Sequence, residues 1–295
     1  MQRERQIRSG KLLEVDFYPV FENGKRLPVR AKRSKVTSEE QQRYNQKTAV
    51  RKFVRLINSN FDNSDILLHV TYSPENAPAS FDEAKRELYN YIRRIKQLRK
   101  RELARISELC GRFPDDKELV KKRDKLSAPF LYCNTLEENV YKTGRYKGMT
   151  SYHFHCFMTG GLERDVMEEA WGLGVRVNAD RYRPDRFGPE TAARYCSKDP
   201  RGKKRFCSSR GLRRPIEAKP RDGRITARGV ERLAKKRCDD REYWENRYKG
   251  YRFLRCFARY NPYNCHWYVS VVMYRAERDE DMPPWGDVND EQMLW

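Results

Sequence analysis

The chain has 295 residues, of which 38% are hydrophobic and 36% charged, and its formal net charge is +21. That length suits one large domain or an ordinary domain with extensions, and no apolar run reaches the length of a membrane span, which argues against a bilayer-crossing protein. The cationic excess, combined with 18 tyrosines, points towards a polyanion whose planar bases can stack on rings. The opening "MQRERQIRSG" lacks the apolar core of a signal peptide. The eight cysteines form no CxxC pair, so neither a disulfide framework nor a structural zinc site is expected, and a reduced cytosolic setting fits.

Taken in chain order, residues 1–60 read as a basic N-terminal arm that orders on a polyanion, followed by a short helix. Residues 61–215 hold the clearest pattern. "DILLHVTYS" is an apolar, β-branched run and predicts a buried strand. "SFDEAKRELYNYIRRIKQLRK" opens with a capping box of Ser80 and Glu83, and Leu88, Tyr91, Ile92, Ile95 and Leu98 mark one face of a long helix. "PDDKELVKKRDKL" predicts a second helix, "PFLYCNTLEE" a strand ending in carboxylates, and "MTSYHFHCFMTGG" the next strand after a turn. "LERDVMEEAWGLG" predicts a helix with Val166, Met167, Ala170 and Trp171 turned inward. "VRVNAD" follows as a strand, "GPETAARYCSKDP" as a short helix with Pro189 at its start, and "KRFCSSRGL" as an extended segment. The order β-α-β-β-α-β-α implies an α+β fold, an antiparallel sheet flanked by helices. Residues 216–278 add a basic helix and two aromatic strands, "YRFLRCFARY" and "CHWYVSVVMYR", whose rings read as core. Residues 279–295 form an acidic tail with the composition of a disordered segment.

Along "SYHFHCFM" the side chains alternate, so Tyr152, Phe154, Cys156 and Met158 share one face and Ser151, His153, His155 and Phe157 the other. Two imidazoles two residues apart on a strand reach towards one ion, and imidazole is a common divalent-metal ligand. Glu137, at the end of the preceding strand, is the third donor expected, with Glu138 the adjacent alternative; alternation turns only one of them to the metal face. His69 and His266 are single strand histidines and read as structural. In "RYCSKD" a helix would put Tyr195 and Lys198 on one face. A tyrosine near a metal is a nucleophile candidate, since a bound phosphate and a lysine would both stabilise its developing charge.

The combination resembles the HUH endonuclease superfamily, and within it the rolling-circle replication initiator (Rep) proteins of Firmicutes plasmids and phages. "LLHVTYS" is similar to their first motif, "YHFHCFMTGG" to the second and "ARYCSKD" to the third, and "FCSSRGLRRP" resembles a segment that often follows; together they cover about Asp65 to Pro215. The resemblance implies an RRM-like core, Mg²⁺ or Mn²⁺ on His153 and His155 with Glu137 as third ligand, Tyr195 as nucleophile and Lys198 placing phosphate or metal. It also implies single-stranded or hairpin origin DNA as substrate, a 5′-phosphotyrosine intermediate and a free 3′-hydroxyl. The link "NVYKTGRYKGMTS" is longer than the family's. Thr191 stands where some members carry a second tyrosine, so the one-tyrosine form is expected. No GxxxxGK[ST] motif is present, so helicase and polymerase would come from the host, in a bacterial cytosol. Arg194, Lys203, Lys204, Arg205, Arg210, Arg213 and Arg214 surround the third motif as candidate phosphate contacts. The rival readings are a one-tyrosine transposase of the same superfamily and a non-catalytic DNA-binding regulator on the same scaffold.

Overall fold

The computed structural model describes residues 1–21, 39–174, 177–189 and 206–283. The fold is mixed α+β with antiparallel sheets and flanking helices, as the element order implied. The chain divides into two compact units.

The second unit gathers the described residues of Asn60–Pro184 and Ala192–Leu212. Its sheet has the order β6-β3-β5-β4-β7, built from β3 (Ile66–Thr71), β4 (Tyr132–Val140), β5 (Thr150–Met158), β6 (Val177–Arg181) and β7 (Cys207–Ser208). The strand that bears the paired histidines, β5, is therefore central. Between β3 and β4 run α2 (Phe81–Arg112) and α3 (Lys117–Ser127), and α4 (Arg164–Glu169) follows β5.

The long helix starts where its sequence says it should. Ser80 Oγ accepts from the Glu83 amide at 3.2 Å, while the Glu83 carboxylate reaches back to the Ala79 amide at 2.7 Å, so two otherwise unpaired donors are satisfied. Leu88, Tyr91, Ile92 and Ile95 then pack on Tyr152, Phe154, Cys156 and Met158 of β5, with Met167 and Trp171 closing the same core. Val166, expected inside, is exposed. Met167 and Trp171, four residues apart, carry the inward side here, and Val166 lies about 100° round the helix from Met167. Beyond the sheet α2 continues through Ile106 and Cys110, which pack with Leu126 of α3. Arg99 anchors this hairpin: its guanidinium donates to the carbonyls of Lys125 and Leu126 at 3.1 Å each and to that of Gly160.

The first unit gathers the described residues of Met1–Ser59, Asp185–Thr191 and Arg213–Trp295. Its first residues contradict the expected basic arm, whereas the helix expected before residue 60 is present at Glu39–Asn58. Residues 2–19 form a hairpin, β1 (Gln2–Ser9) and β2 (Leu12–Pro19), inside a sheet of order β10-β11-β2-β1-β8, with β9 also on β1. The other strands are β8 (Ile216–Glu217), β9 (Arg221–Asp222), β10 (Arg252–Asn261) and β11 (His266–Tyr274). Gly10 makes the turn at φ 56°, a conformation that favours glycine, and a Cβ there would lie 2.2 Å from the Asn58 carbonyl oxygen. Leu13, Val15 and Phe17 of β2 pack with Val230 and Leu233 of α5 (Ala227–Lys236) and Trp244 of α6 (Arg241–Arg247). The opposite face of β2 meets α1 (Glu39–Asn58) through an Arg55–Glu14 ion pair. Residues 1–60 and 216–278 are thus one unit rather than separate parts, because β2 pairs with β11 across most of the chain length. The start of the acidic tail, expected to be disordered, forms a short turn of helix at Asp279–Asp281 with Asp279 accepting from Arg241, and the tail beyond residue 283 lies outside the described residues. Among the described residues no helix is long and apolar enough to cross a membrane.

Candidate functional site

Strand register builds the site in two rows. The first row runs His69, His155 and Thr135 across β3, β5 and β4, and the second runs Thr71, His153 and Glu137. Directly paired residues on antiparallel strands point to the same face. Glu137 therefore shares the histidine face, whereas Glu138 pairs with Tyr152 on the face packed by α2. The choice that alternation left open falls to Glu137.

The same register sets His69, which its lone place in an apolar strand reads as structural, directly beside the histidine pair. Its ring stacks on that of His155 with centroids 4.5 Å apart and on that of His153 at 5.9 Å. Asn178 of β6 pairs with it from the edge. The second motif alone held two imidazoles; the cluster has three. The signal for the third was "LLHVT", in which His69 lies two residues before Thr71 on a strand that must neighbour the HxH strand. His266 keeps its structural reading, with its Nδ1 against the Asn264 carbonyl and its ring edge-on to Phe21.

The cluster is strongly desolvated. His155 is 3% exposed, and its Nε2 lies 3.9 Å from a Glu137 carboxylate oxygen. His153 Nε2 is 3.2 Å from Ser151 Oγ. Burial, with the neighbouring imidazoles adding to it, pushes His69 down to about 4. Burial likewise lowers His153, although Glu137 opposes the shift. At neutral pH these two rings are uncharged and carry a lone pair, the state a metal requires. Nε2 of His69, Oε1 of Glu137 and Oγ1 of Thr135 are buried with no hydrogen-bond partner. Such atoms cost stability and are uncommon in folded proteins, so three on one face call for an explanation.

The donor types fit a divalent ion: neutral imidazole nitrogens and one carboxylate. The side-chain arrangement is not closed around one point, however. Among the described residues no set of three or more His, Cys, Asp or Glu groups is placed to hold a metal. The near-parallel stacking of His69 on His155, 11° between planes, accounts for this, because it turns ring faces rather than nitrogens towards each other. Rotation about side-chain torsions would have to accompany binding.

Tyr195, Lys198, Arg194, Lys203, Lys204 and Arg205 lie outside the described residues. Arg210 follows β7 and is exposed, and Arg213 and Arg214 are exposed in the segment that leads to β8. Unit division places Arg210 with the histidine sheet and Arg213 and Arg214 with the other. Comparison with protein-family models, with curated proteins and with solved structures returned no match.

Proposed function

We propose that this chain is a metal-dependent, one-tyrosine endonuclease and strand transferase that nicks single-stranded origin DNA and so initiates rolling-circle replication of a plasmid or phage. The observation that supports it most is that His69, His153, His155 and Glu137 share one face, on which Nε2 of His69 and Oε1 of Glu137 are buried without a hydrogen-bond partner. His153, His155 and Glu137, joined by His69, would hold Mg²⁺ or Mn²⁺. Bound there, the ion would polarise a phosphodiester oxygen as a Lewis acid.

The chain's own groups supply the rest. Glu137 brings the negative charge that offsets a cation in a desolvated place, and the neutral rings bring donors without repulsion. Thr71 and Ser151 flank His153 on the same face and hold the polar rim of the site. Tyr195 Oη attacks the scissile phosphorus and its proton leaves to a base or water. The P–O3′ bond breaks, the 3′ oxygen takes up a proton, and the 5′ end stays joined to the tyrosine as a phosphodiester. Phosphorus only changes its oxygen partner, so attack by a 3′-hydroxyl on the phosphotyrosine reverses the step without ATP. Lys198, one helical turn from Tyr195 in the helix the sequence predicts, stabilises the phosphate charge. The basic residues around the third motif contact the backbone. Host helicase and polymerase then extend the free 3′ end.

The test is a denaturing gel for a covalent protein–DNA adduct. Purified protein is incubated with Mn²⁺ and single-stranded DNA tiled across the encoding replicon, beside Tyr195→Phe, His153→Ala and EDTA samples. An adduct on one tile, lost in all three controls, is expected. Binding with no adduct on any tile would sink the endonuclease reading and leave a DNA-binding protein.

A further inference from the structure

The first unit holds a cavity that the nicking chemistry does not use. It has a volume of about 910 Å³ and opens between α1 and strands β2, β10 and β11. Two kinds of side chain dominate its walls: the rings of Tyr18, Tyr44 and Tyr268, and the cations Lys47, Arg51 and Arg259. Tyr44 is 65% exposed, and Lys47 and Arg259 are exposed as well. The lining has one carboxylate, Asp16, and Ser270 Oγ donates to it at 2.5 Å on the floor.

Strand alternation explains how the groove arises. Trp267, Val269, Val271 and Met273 of β11 pack with α5 and α6 on one face of the sheet. Tyr268 and Ser270 consequently turn to the other face, where Arg259 and Phe257 are their register partners on β10. α1 covers that face through Arg55 and Glu14. Its earlier turns, carrying Tyr44, Lys47 and Arg51, form the outer wall of the groove.

We propose that this groove binds a single-stranded segment of DNA, with bases against Tyr18, Tyr44 and Tyr268 and phosphates against Lys47, Arg51 and Arg259. Cations alone would suit any polyanion, and rings alone would suit an apolar partner. Their interleaving on one wall suits a chain that presents charge and planar rings alternately. A duplex exposes its phosphates but hides its base faces, so the tyrosines select the single strand. A second copy of this chain is disfavoured by its own charge of +21. The choice of DNA rests on the proposed nicking function, whereas the groove's chemistry does not.

The experiment is photocrosslinking of the full chain carrying Tyr195→Phe, which removes the nicking adduct from the readout. The probe is single-stranded DNA with 5-iodouracil at successive positions, and peptides are mapped by mass spectrometry. Crosslinks on Tyr18, Tyr44 or Tyr268 are expected. Crosslinks confined to residues 60–184 and 192–212 would overturn the groove while leaving the DNA reading intact; no crosslink and no binding would overturn both. A second measurement is the affinity of the double variant Lys47→Glu, Arg259→Glu for oligothymidylate. It should fall roughly tenfold or more, with a salt slope shallower by about 1.4, at ~0.7 per lost phosphate contact. Unchanged affinity and slope would overturn the proposal, as would crosslinks that appear only at protein concentrations where sedimentation shows a dimer.

Discussion

The two sheets differ in how their carboxylates are met, although the first also buries Gln2 Oε1 and Arg252 Nε without a hydrogen-bond partner. In the first unit each buried or half-buried carboxylate has found a partner. Glu14 pairs with Arg55, Asp16 accepts from Ser270, and Glu4 accepts from Gln6 at 2.7 Å and from Arg247 and Tyr248 at 3.0 Å each. In the second unit, three adjacent strands bring His69, Thr135 and Glu137 to one face and leave a polar atom on each unsatisfied. A paired buried group holds a structure together, whereas an unpaired one holds a place for something else. On that view the first sheet's paired carboxylates contribute to stability, whereas the unpaired atoms on the histidine face cost it.

The largest expected effect is on the stability side. Trp244 is fully buried, lies tilted against Phe17 with ring centroids 6.1 Å apart and donates from its ring nitrogen to the Arg237 carbonyl at 2.7 Å. Trp244→Ala should cost about 3–5 kcal/mol in the unfolding transition of the first unit, measured in urea. Adduct formed per folded molecule should not change. His155→Ala should do the reverse, lowering metal-dependent adduct formation by roughly 100-fold while moving the second unit's thermal midpoint by a few degrees at most. If His155→Ala instead unfolds the protein, the histidine face is structural and the contrast between the sheets fails.

Much of the second unit was legible from sequence because its signals are local. The Ser80–Glu83 cap, the stripe from Leu88 to Ile95 and the alternation through His153 and His155 each lie within one element, and each is found in the structure. The hairpin of residues 2–19 was not legible, because Gln2, Glu4 and Gln6 put polar side chains on the inward face of β1. Their partners are more than 200 residues away in the case of Glu4. The Ser9-Gly10-Lys11 turn and the alternation of Leu13, Val15 and Phe17 with Glu14 and Asp16 were local signs that the polar residues of β1 masked. His69 was missed for a related reason: a lone histidine in an apolar strand reads as core until register sets it beside His155. The same register settled Glu137 against Glu138, which spacing alone left open.

His69 gives a sharper version of the comparison. His69→Leu removes a buried nitrogen that has no partner, so the second unit should be as stable as the parent or slightly more so in thermal melts. Adduct formation should nonetheless fall about tenfold at limiting Mn²⁺ and recover in part as Mn²⁺ is raised. A variant that is both less stable and fully active would show His69 to be an ordinary core residue.

Glu4 tests the paired side, with the smallest effect. Burial alone would raise its pKa, but hydrogen bonds from Gln6, Arg247 and Tyr248, with the Arg247 charge, hold it below the ordinary carboxylate value. A carboxylate whose folded pKa is depressed stabilises the fold above its unfolded pKa, about 4.3, and that contribution is lost as pH falls through the lower folded value. The first unit should therefore weaken below about pH 4.5, where the unfolded chain begins to bind the proton first. Glu4→Gln should cost about 1–2 kcal/mol at pH 7, since an amide cannot accept the same three donors as well. The same substitution should flatten the decline between pH 5 and roughly pH 3 in urea melts. An unaltered acid limb in Glu4→Gln would mean that the pairing network contributes nothing through this charge, and the distinction between the two sheets would then rest on the histidine face alone.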